Sequence, residues 1–350
     1  MSRDFARDQA LQTLLLALDQ EPDLLPEEGP IAFLNARVTP EFAALKSRLD
    51  CQQDYKPQYD ALELAGFKVK ETLQGPYSLV LHMPNRQREA TLGEFAQAFT
   101  LLEEGRYFLV SLHNDWGAKR YEKTLAEFAG EVGTISKFHC RAFWARKSPE
   151  LDKALQEEWL QHLELRRVLD GRFWSRPGLF SWDEIDEGSR VLMEHLPKPI
   201  TGRVADLGCG WGALSDFVMR NNEDITSLDG FEADRIAVEC ARRNLGLIPT
   251  RYRPKVHWAD LTHPEGAGDK RYDVVIMNPP FHEGRNSDPL LGAKFIAAAF
   301  KALKPGGMLY MVANRHLPYE HLLEEVFQDV QRLVQTSNFK VFSAMRPAVA

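Results

Sequence analysis

The sequence predicts an α/β protein made of two tandem Rossmann-like domains, the N-terminal one a degenerate copy of the other. Three observations lead there. Short apolar runs alternate with helical patterns along most of the 350 residues, the rhythm of a parallel sheet covered by helices. One such run breaks into a glycine turn, Val204-Ala-Asp-Leu-Gly-Cys-Gly-Trp-Gly212. Three stretches of the first half also recur in the second, in the same order: residues 77–84 with 272–279, 101–110 with 302–311, and 135–144 with 336–343. Any two βα folds share a rhythm, but the ordered recurrence argues for duplication.

Length agrees, since roughly 150 residues per domain predicts two domains. With 44% hydrophobic and 27% charged residues, each half can bury a core, and a wholly disordered chain is excluded. Cys51, Cys140, Cys209 and Cys240 have no paired spacing, which fits neither a disulfide framework nor a zinc site. Reduced thiols in a cytoplasm, and no metal, are expected. No stretch approaches the roughly 18 apolar residues of a membrane span, and no signal peptide is visible. A net charge of -7 argues against a protein that coats nucleic acid indiscriminately, while leaving room for a local basic face.

Residues 1–20 read as an amphipathic helix with Leu11, Leu14, Leu15 and Leu18 at helical spacing. Prolines 22, 26 and 30 punctuate the chain before a short strand, Ile31-Ala-Phe-Leu34, and a strand pair is expected near residues 106–113 and 135–145. The first half has lost the glycine turn: after its strand it carries Asn35-Ala-Arg-Val38. It also has His82-Met-Pro-Asn where the second half has Asn278-Pro-Pro-Phe281. Residues 1–150 are therefore expected to support folding or to dock substrate. Residues 151–172 are read as a helical linker whose mixed charges form a solvated face in preference to an RNA contact, and residues 173–350 as the catalytic domain.

In the second half, Gly208, Gly210 and Gly212 let the backbone turn sharply and leave no Cβ between it and a ligand. The turn lies at the carboxyl end of a strand, where open α/β sheets bind ligands. A nicotinamide site would use a similar turn. Acid placement separates the two: Asp206 stands before the first glycine and Asp260 after the strand beyond the next, while Asp229, ending the next strand, has a spacing that nicotinamide enzymes share. Further on, the apolar strand Tyr272-Asp-Val-Val-Ile-Met277 delivers Asn278-Pro-Pro-Phe281 to the same sheet edge. Pro279 and Pro280 fix the backbone and remove donors, leaving carbonyls to accept. An aromatic exocyclic amine is a poor nucleophile, and an Asn oxygen with a neighbouring carbonyl can hold its two hydrogens. No strong base is then required.

Together these residues resemble the class I S-adenosylmethionine-dependent methyltransferases that act on exocyclic amines. The resemblance implies that Asp206 lies near the methionine ammonium, that Asp229 accepts from both ribose hydroxyls, and that Asp260 meets the adenine amino group. It also implies that Asn278 and Pro279 orient the target amine beside the cofactor while Phe281 stacks on the base. Two longer stretches, the run into His282-Glu-Gly-Arg285 and the upstream Pro177-Gly-Leu-Phe-Ser-Trp-Asp-Glu-Ile-Asp-Glu-Gly-Ser189, resemble the bacterial ribosomal RNA guanine-N2 methyltransferases of the RsmC/RlmG family. Members carry a degenerate domain ahead of the active one. This implies S-adenosyl-L-methionine as cofactor and N2 of a guanine in small-subunit (16S) ribosomal RNA as target. It also places Phe180 and His282 near substrate, and Phe180 and Asp186 at the mouth of the cofactor pocket. A monomer that binds ribosomal RNA or a ribosomal subunit is expected. The alternatives are a large-subunit (23S) enzyme, a DNA adenine or protein glutamine methyltransferase, and a non-catalytic RNA-binding assembly factor.

Overall fold

The computed structural model describes residues 8–263, 265–280, 282–283, 286–287 and 289–348. By contact the chain divides into two units, Met1–Glu164 with Arg176–Gly178, and Leu165–Ser175 with Leu179–Ala350. Among the described residues no helix is long and apolar enough to cross a membrane.

The first unit runs α1 (Gln9–Gln20), β1 (Ile31–Leu34), β2 (Leu49–Gln52), α2 (Lys56–Leu64), β3 (Lys68–Lys70) and β4 (Tyr77–His82). It continues through α3 (Arg88–Leu101), β5 (Leu102–His113), α4 (Ala118–Ala129), β6 (Val132–Lys137), β7 (Cys140–Arg146) and α5 (Lys153–Leu160). The side chain of Asp8 caps α1 by accepting from the Leu11 amide, and Leu11, Leu14 and Ala17 bury its apolar stripe. Every residue of β4 is buried, as expected of a parallel strand covered on both faces.

The second unit opens with a hairpin, β8 (Arg166–Val168) and β9 (Phe173–Ser175), then α6 (Glu187–His195), β10 (Gly202–Leu207), α7 (Ala213–Asn221) and β11 (Ile225–Glu232). α8 (Arg235–Gly246), β12 (Lys255–Trp258), β13 (Tyr272–Met277), β14 (His282–Glu283) and β15 (Asn286–Ser287) follow. The chain ends in α9 (Pro289–Ala302), β16 (Leu303–Asn314), α10 (Tyr319–Val326), β17 (Gln328–Gln335) and β18 (Phe339–Met345).

Each unit has a seven-stranded sheet, in the orders β3-β2-β1-β4-β5-β7-β6 and β12-β11-β10-β13-β16-β18-β17. The orders are the same once strands are matched in sequence, and so is an irregularity. Tyr77 faces Leu102 and then Leu79 faces Tyr107; Tyr272 faces Leu303 and then Val274 faces Met308. A shared register slip of this kind argues for duplication more strongly than shared topology does.

Two expected elements differ. The strand foreseen over residues 135–145 spans β6, a tight turn and β7, because Phe138 and His139 adopt φ of 52° and 57° and reverse the chain. Of the segment foreseen as a helical linker, Lys153–Leu160 is α-helical; beyond it, Leu169, Asp170 and Gly171 at positive φ fold β8 back onto β9. The hairpin's arginines lie over aromatic rings, Arg166 over Trp182 at 4.7 Å and Arg167 over Trp174 at 4.5 Å.

Candidate active site

The glycine turn forms because β10 leads, after Leu207, into backbone conformations that favour glycine. Gly208, Gly210 and Gly212 have φ of 79°, 53° and 95°, in the left-handed region. The amides of Gly208 and Cys209 both donate to the Phe231 carbonyl, at 2.8 and 3.0 Å, tying the turn to the end of β11. Cys209 tucks under β11 at Gly230, where a Cβ would stand 2.9 Å from its sulfur. Trp211 closes the turn from outside. Its ring is buried edge-on against Phe173 at 5.0 Å, and its indole N–H donates to the carbonyls of Phe180 and Ser181, both at 3.3 Å.

A pocket lies over this turn, lined by Asp206, Gly208, Gly210, Asp186, Asn278 and Phe180 among others. Asp206, on β10, is wholly buried. Its Oδ2 accepts from the Ser215 hydroxyl at 2.6 Å, while Oδ1 is buried without a hydrogen-bond partner among the described residues. Burial, helped by the charge of Glu232 and opposed by the Ser215 bond, pushes the Asp206 carboxyl up to about 7. An unmatched carboxylate oxygen beside a backbone turn open at Gly210, where a Cβ would meet nothing within 4 Å, fits a ligand that brings a cation on an extended body. S-adenosylmethionine, with its ammonium, is such a ligand.

Asn278 follows β13 into the pocket. Its amide nitrogen donates to Asp186 Oδ2 and to Ser189 Oγ, each at 2.8 Å. Asp186 is the N-cap of α6, and the same Oδ2 accepts from the Ser189 amide at 3.0 Å. Both amide hydrogens of Asn278 are thereby committed, and Oδ1 is the atom of its side chain that can accept. Pro279 is buried and Pro280 exposed. Phe180, 72% exposed, stands at the pocket mouth with Asp186, where both were expected. Phe281 lies outside the described residues, and of His282 only the backbone, in β14, is described.

The acid expected at the ribose has protein partners of its own. Asp229 pairs in register with Ala205, two residues short of the end of β10, and the pocket lining includes none of Asp229, Glu232 and Asp260. Its Oδ1 accepts from His257 Nε2 at 2.7 Å and Lys270 Nζ at 2.8 Å. Burial alone would raise this carboxyl, but the hydrogen bonds from His257 and Lys270 and the charge of the lysine outweigh it and hold it at about 2. The last acid of β11 is Glu232. It is tied to the turn itself: Oε2 accepts from the Gly210 amide at 2.8 Å, and Oε1 from the amides of Ala233 and Asp234 at 2.7 and 2.9 Å. Burial raises its carboxyl against those three bonds. Asp260 sits just past β12, where the neighbouring Ala259 amide donates to the Glu232 carbonyl; its Oδ1 caps a turn, accepting from Thr262 N at 2.8 Å and Oγ1 at 2.6 Å. Sequence reasoning missed Glu232, Ser189 and Ser215. Glu232 had a signal, as the last carboxylate before Asp234, whose side chain caps α8.

In the first unit the equivalent place is filled. Strand register puts Asn35 opposite Gly208 and His82 opposite Met277, and counting back from Leu102 and Leu303 puts Glu94 opposite Phe295. Asn35, at φ 52°, donates from Nδ2 to Glu94 Oε1 at 2.9 Å, and Glu94 Oε2 stands 2.9 Å from Nε2 of the fully buried His82. A polar network thus occupies the position of an open glycine turn. The same register sets Met83-Pro84-Asn85-Arg86, one residue later than expected, against Asn278-Pro-Pro-Phe281.

Comparison with known proteins identifies the family. Residues 170–343 match the family described as methyltransferase small domain. A relative named ribosomal RNA small subunit methyltransferase C, from Haemophilus influenzae (strain PittGG), is 31% identical over 84% of this chain and 85% of its own length. The chain belongs to the ribosomal RNA small subunit methyltransferase C family. A family member from Psychromonas ingrahamii is 28% identical over 87% of each chain. Among solved structures, the T. thermophilus 16S rRNA N2 G1207 methyltransferase (RsmC) in complex with AdoMet and guanosine is similar in fold, with a TM-score of 0.80 and 24% identity over 98% of this chain and 93% of that one. The chain is an S-adenosylmethionine-dependent methyltransferase with two α/β domains.

Proposed function

We propose that the second unit methylates N2 of a guanine in small-subunit ribosomal RNA. The observation that carries this reading is the commitment of both Asn278 amide hydrogens to Asp186 and Ser189. The side-chain oxygen is thereby preset to accept from an amine. When bound, S-adenosylmethionine supplies an electrophilic sulfonium methyl. The protein holds the guanine amine so that its lone pair is directed at the pocket, with Asn278 Oδ1 and the Pro279 carbonyl accepting its two hydrogens. As positive charge builds on nitrogen those hydrogens grow more acidic and both bonds strengthen, so the pair would stabilise the transition state; the methylated nitrogen would then release one of the two protons to water, with no strong base needed. Phe281 would stack on the base and Phe180, at the mouth, would shield it; His282 is assigned to the same substrate side.

For the cofactor, Asp206 would accept from the methionine ammonium and Gly208, Gly210 and Gly212 would let the backbone approach the nucleoside. Asp260 would meet the adenine amino group. We assign the ribose hydroxyls to Glu232 in place of Asp229, because Glu232 ends its strand at the glycine turn and Asp229 is taken by Lys270 and His257. No metal takes part in this scheme. The first unit, with its site filled, would dock RNA or support folding. The protein would act as a cytoplasmic monomer.

The test is direct. Protein, cofactor and unmodified small-subunit particles are incubated, and the ribosomal RNA is digested and mapped by mass spectrometry. A new N2-methylguanine in 16S RNA is the expected result. Methylation confined to large-subunit RNA, DNA or protein would reject the reading.

A further inference from the structure

We propose that a second cleft in the second unit holds the ribonucleotide next to the target guanine, an assignment that rests on the RNA-methylating reading above. The cleft, about 550 Å³, is lined by Glu187, Asn314, Arg315, His316, Asn338 and Phe339. That volume is within the range of small-molecule sites.

Its place in the fold decides what can reach it. Asn314 ends β16, the neighbour of the strand that delivers Asn278, and Asn338 and Phe339 lead into β18 on the far side of β16. The Arg315 amide donates to the Asn338 carbonyl at 2.7 Å, joining the two walls. The third wall is the start of α6. There Asp186 and Ser189 face the cofactor pocket and hold Asn278, while Glu187, between them in sequence, faces the cleft. One turn of helix therefore separates the two hollows. The glycine turn and the acids at the ends of β10 and β11 occupy one side of β13, and the cleft opens on the other. An RNA strand that places one base against Asn278 and leaves the cofactor side clear continues over β16 and β18.

The chemistry of the lining narrows the ligand. Arg315 and His316 are exposed at one wall, where a guanidinium suits phosphate oxygens. Glu187 lies on another wall, and its carboxylate accepts from Asn338 Nδ2 at 3.3 and 3.4 Å, distances loose enough to yield to a better donor. A cation at one end and a carboxylate at the other repel a bare phosphate or an acidic peptide at the carboxylate end. They match a nucleotide, whose phosphate is anionic and whose base offers N–H donors. Gly188 lets α6 approach Phe339 closely, since a Cβ there would stand 3.0 Å from the ring, so this wall is rigidly packed beside the cleft.

The experiment uses the full chain and single-stranded RNA oligonucleotides carrying the 16S target guanine and its neighbours. RNA affinity is measured by fluorescence anisotropy against salt, and methyl transfer is followed separately. Arg315→Ala should weaken RNA binding about tenfold and reduce the slope of log affinity against log salt by about 0.7, one phosphate contact on a single strand. Arg315→Lys should recover part of the affinity. Asn338→Ala should reduce the protein's discrimination among oligonucleotides that differ at the flanking base. S-adenosylmethionine affinity, measured in parallel, verifies that each variant is folded. Wild-type RNA affinity and salt slope in Arg315→Ala, with the cofactor still bound, would overturn the cleft assignment. A wild-type protein that binds these oligonucleotides through Arg315 yet methylates no ribosomal RNA would instead sink the proposed function and leave the cleft standing.

Discussion

Asp206→Asn should act in opposite directions on the empty fold and on the loaded one. The wild-type carboxyl rises from 3.8 to about 7 on folding, chiefly through burial. Between those values the folded protein keeps a proton that the unfolded chain has released. The linkage slope is therefore negative: stability falls as pH rises through the window, and the loss is complete above about 7. About three pH units at roughly 1.4 kcal/mol each set an upper bound on the order of 4 kcal/mol, and Glu232, also raised by burial, titrates beside it. Asparagine has the same shape and no charge, so the cofactor-free variant should melt higher than wild type at pH 8, by roughly 2 to 4 °C per kcal/mol, and lose that advantage near pH 4. Cofactor binding should go the other way. An ammonium set against the carboxylate selects its ionised form, so wild-type binding below pH 7 releases a proton and affinity rises up to about tenfold per pH unit before levelling off. In the variant the rise disappears, and at pH 7.5 affinity drops about 10- to 150-fold, the loss of one charge-assisted bond of roughly 1.5 to 3 kcal/mol. Calorimetry in two buffers of different ionisation enthalpy counts the proton, and thermal melts follow the fold. Wild-type affinity independent of pH from 5.5 to 7.5, with no proton released and with Asp206→Asn binding equally well, would mean that Asp206 serves only Ser215.

Four more expectations concern the groups around the site and the first unit. Glu232→Gln should weaken cofactor binding about tenfold or more, whereas Asp229→Asn should leave it within about twofold; the reverse pattern would return the ribose to Asp229. Because Asp229 is held at about 2, below its unfolded 3.8, its contribution to stability is present above pH 4 and lost as pH falls toward 2, so the difference between wild-type and Asp229→Asn urea midpoints should shrink over that range. Asp186→Ala removes the α6 cap and one anchor of Asn278, costing about 1 kcal/mol of stability in urea melts and more than about tenfold in methyl transfer; transfer at the wild-type rate would detach Asp186 from catalysis. Calorimetry on the full chain should find one cofactor per chain, because Asn35, His82 and Glu94 fill the first unit's equivalent place; two equivalents would show that this network yields.

What the sequence made legible followed from local rules. Alternating glycines at positive φ, buried β-branched strands and a proline pair at a sheet edge each have a short-range physical cause; of these stretches Gly208, Gly210 and Asn278 line the pocket, while Gly212 and the two prolines do not. The duplication was legible from three short matches, and the shared register slip at Tyr77 and Tyr272 supports it independently. Spacing alone could not identify which carboxylate of Asp229-Gly-Phe-Glu232 reaches the turn, because that depends on register with β10 and on Lys270, forty-one residues away in sequence. The anchors of Asn278 are eighty-nine and ninety-two residues upstream, a pairing that no local pattern encodes. The hairpin after α5 was hidden by its mixed charges, which read as a solvated helix until the positive φ of Leu169 and Asp170 turned the chain.

The central claim is that Asn278, locked by Asp186 and Ser189, presents its side-chain oxygen to the amine being methylated. Single-turnover transfer of labelled methyl to small-subunit particles tests it most directly, comparing wild type with Asn278→Ala while cofactor affinity is measured alongside. Removing one preorganised partner of this kind costs about 10² to 10³ in rate. The account predicts a loss of that size with S-adenosylmethionine still bound; a folded Asn278→Ala protein that transfers methyl at the wild-type rate would contradict it.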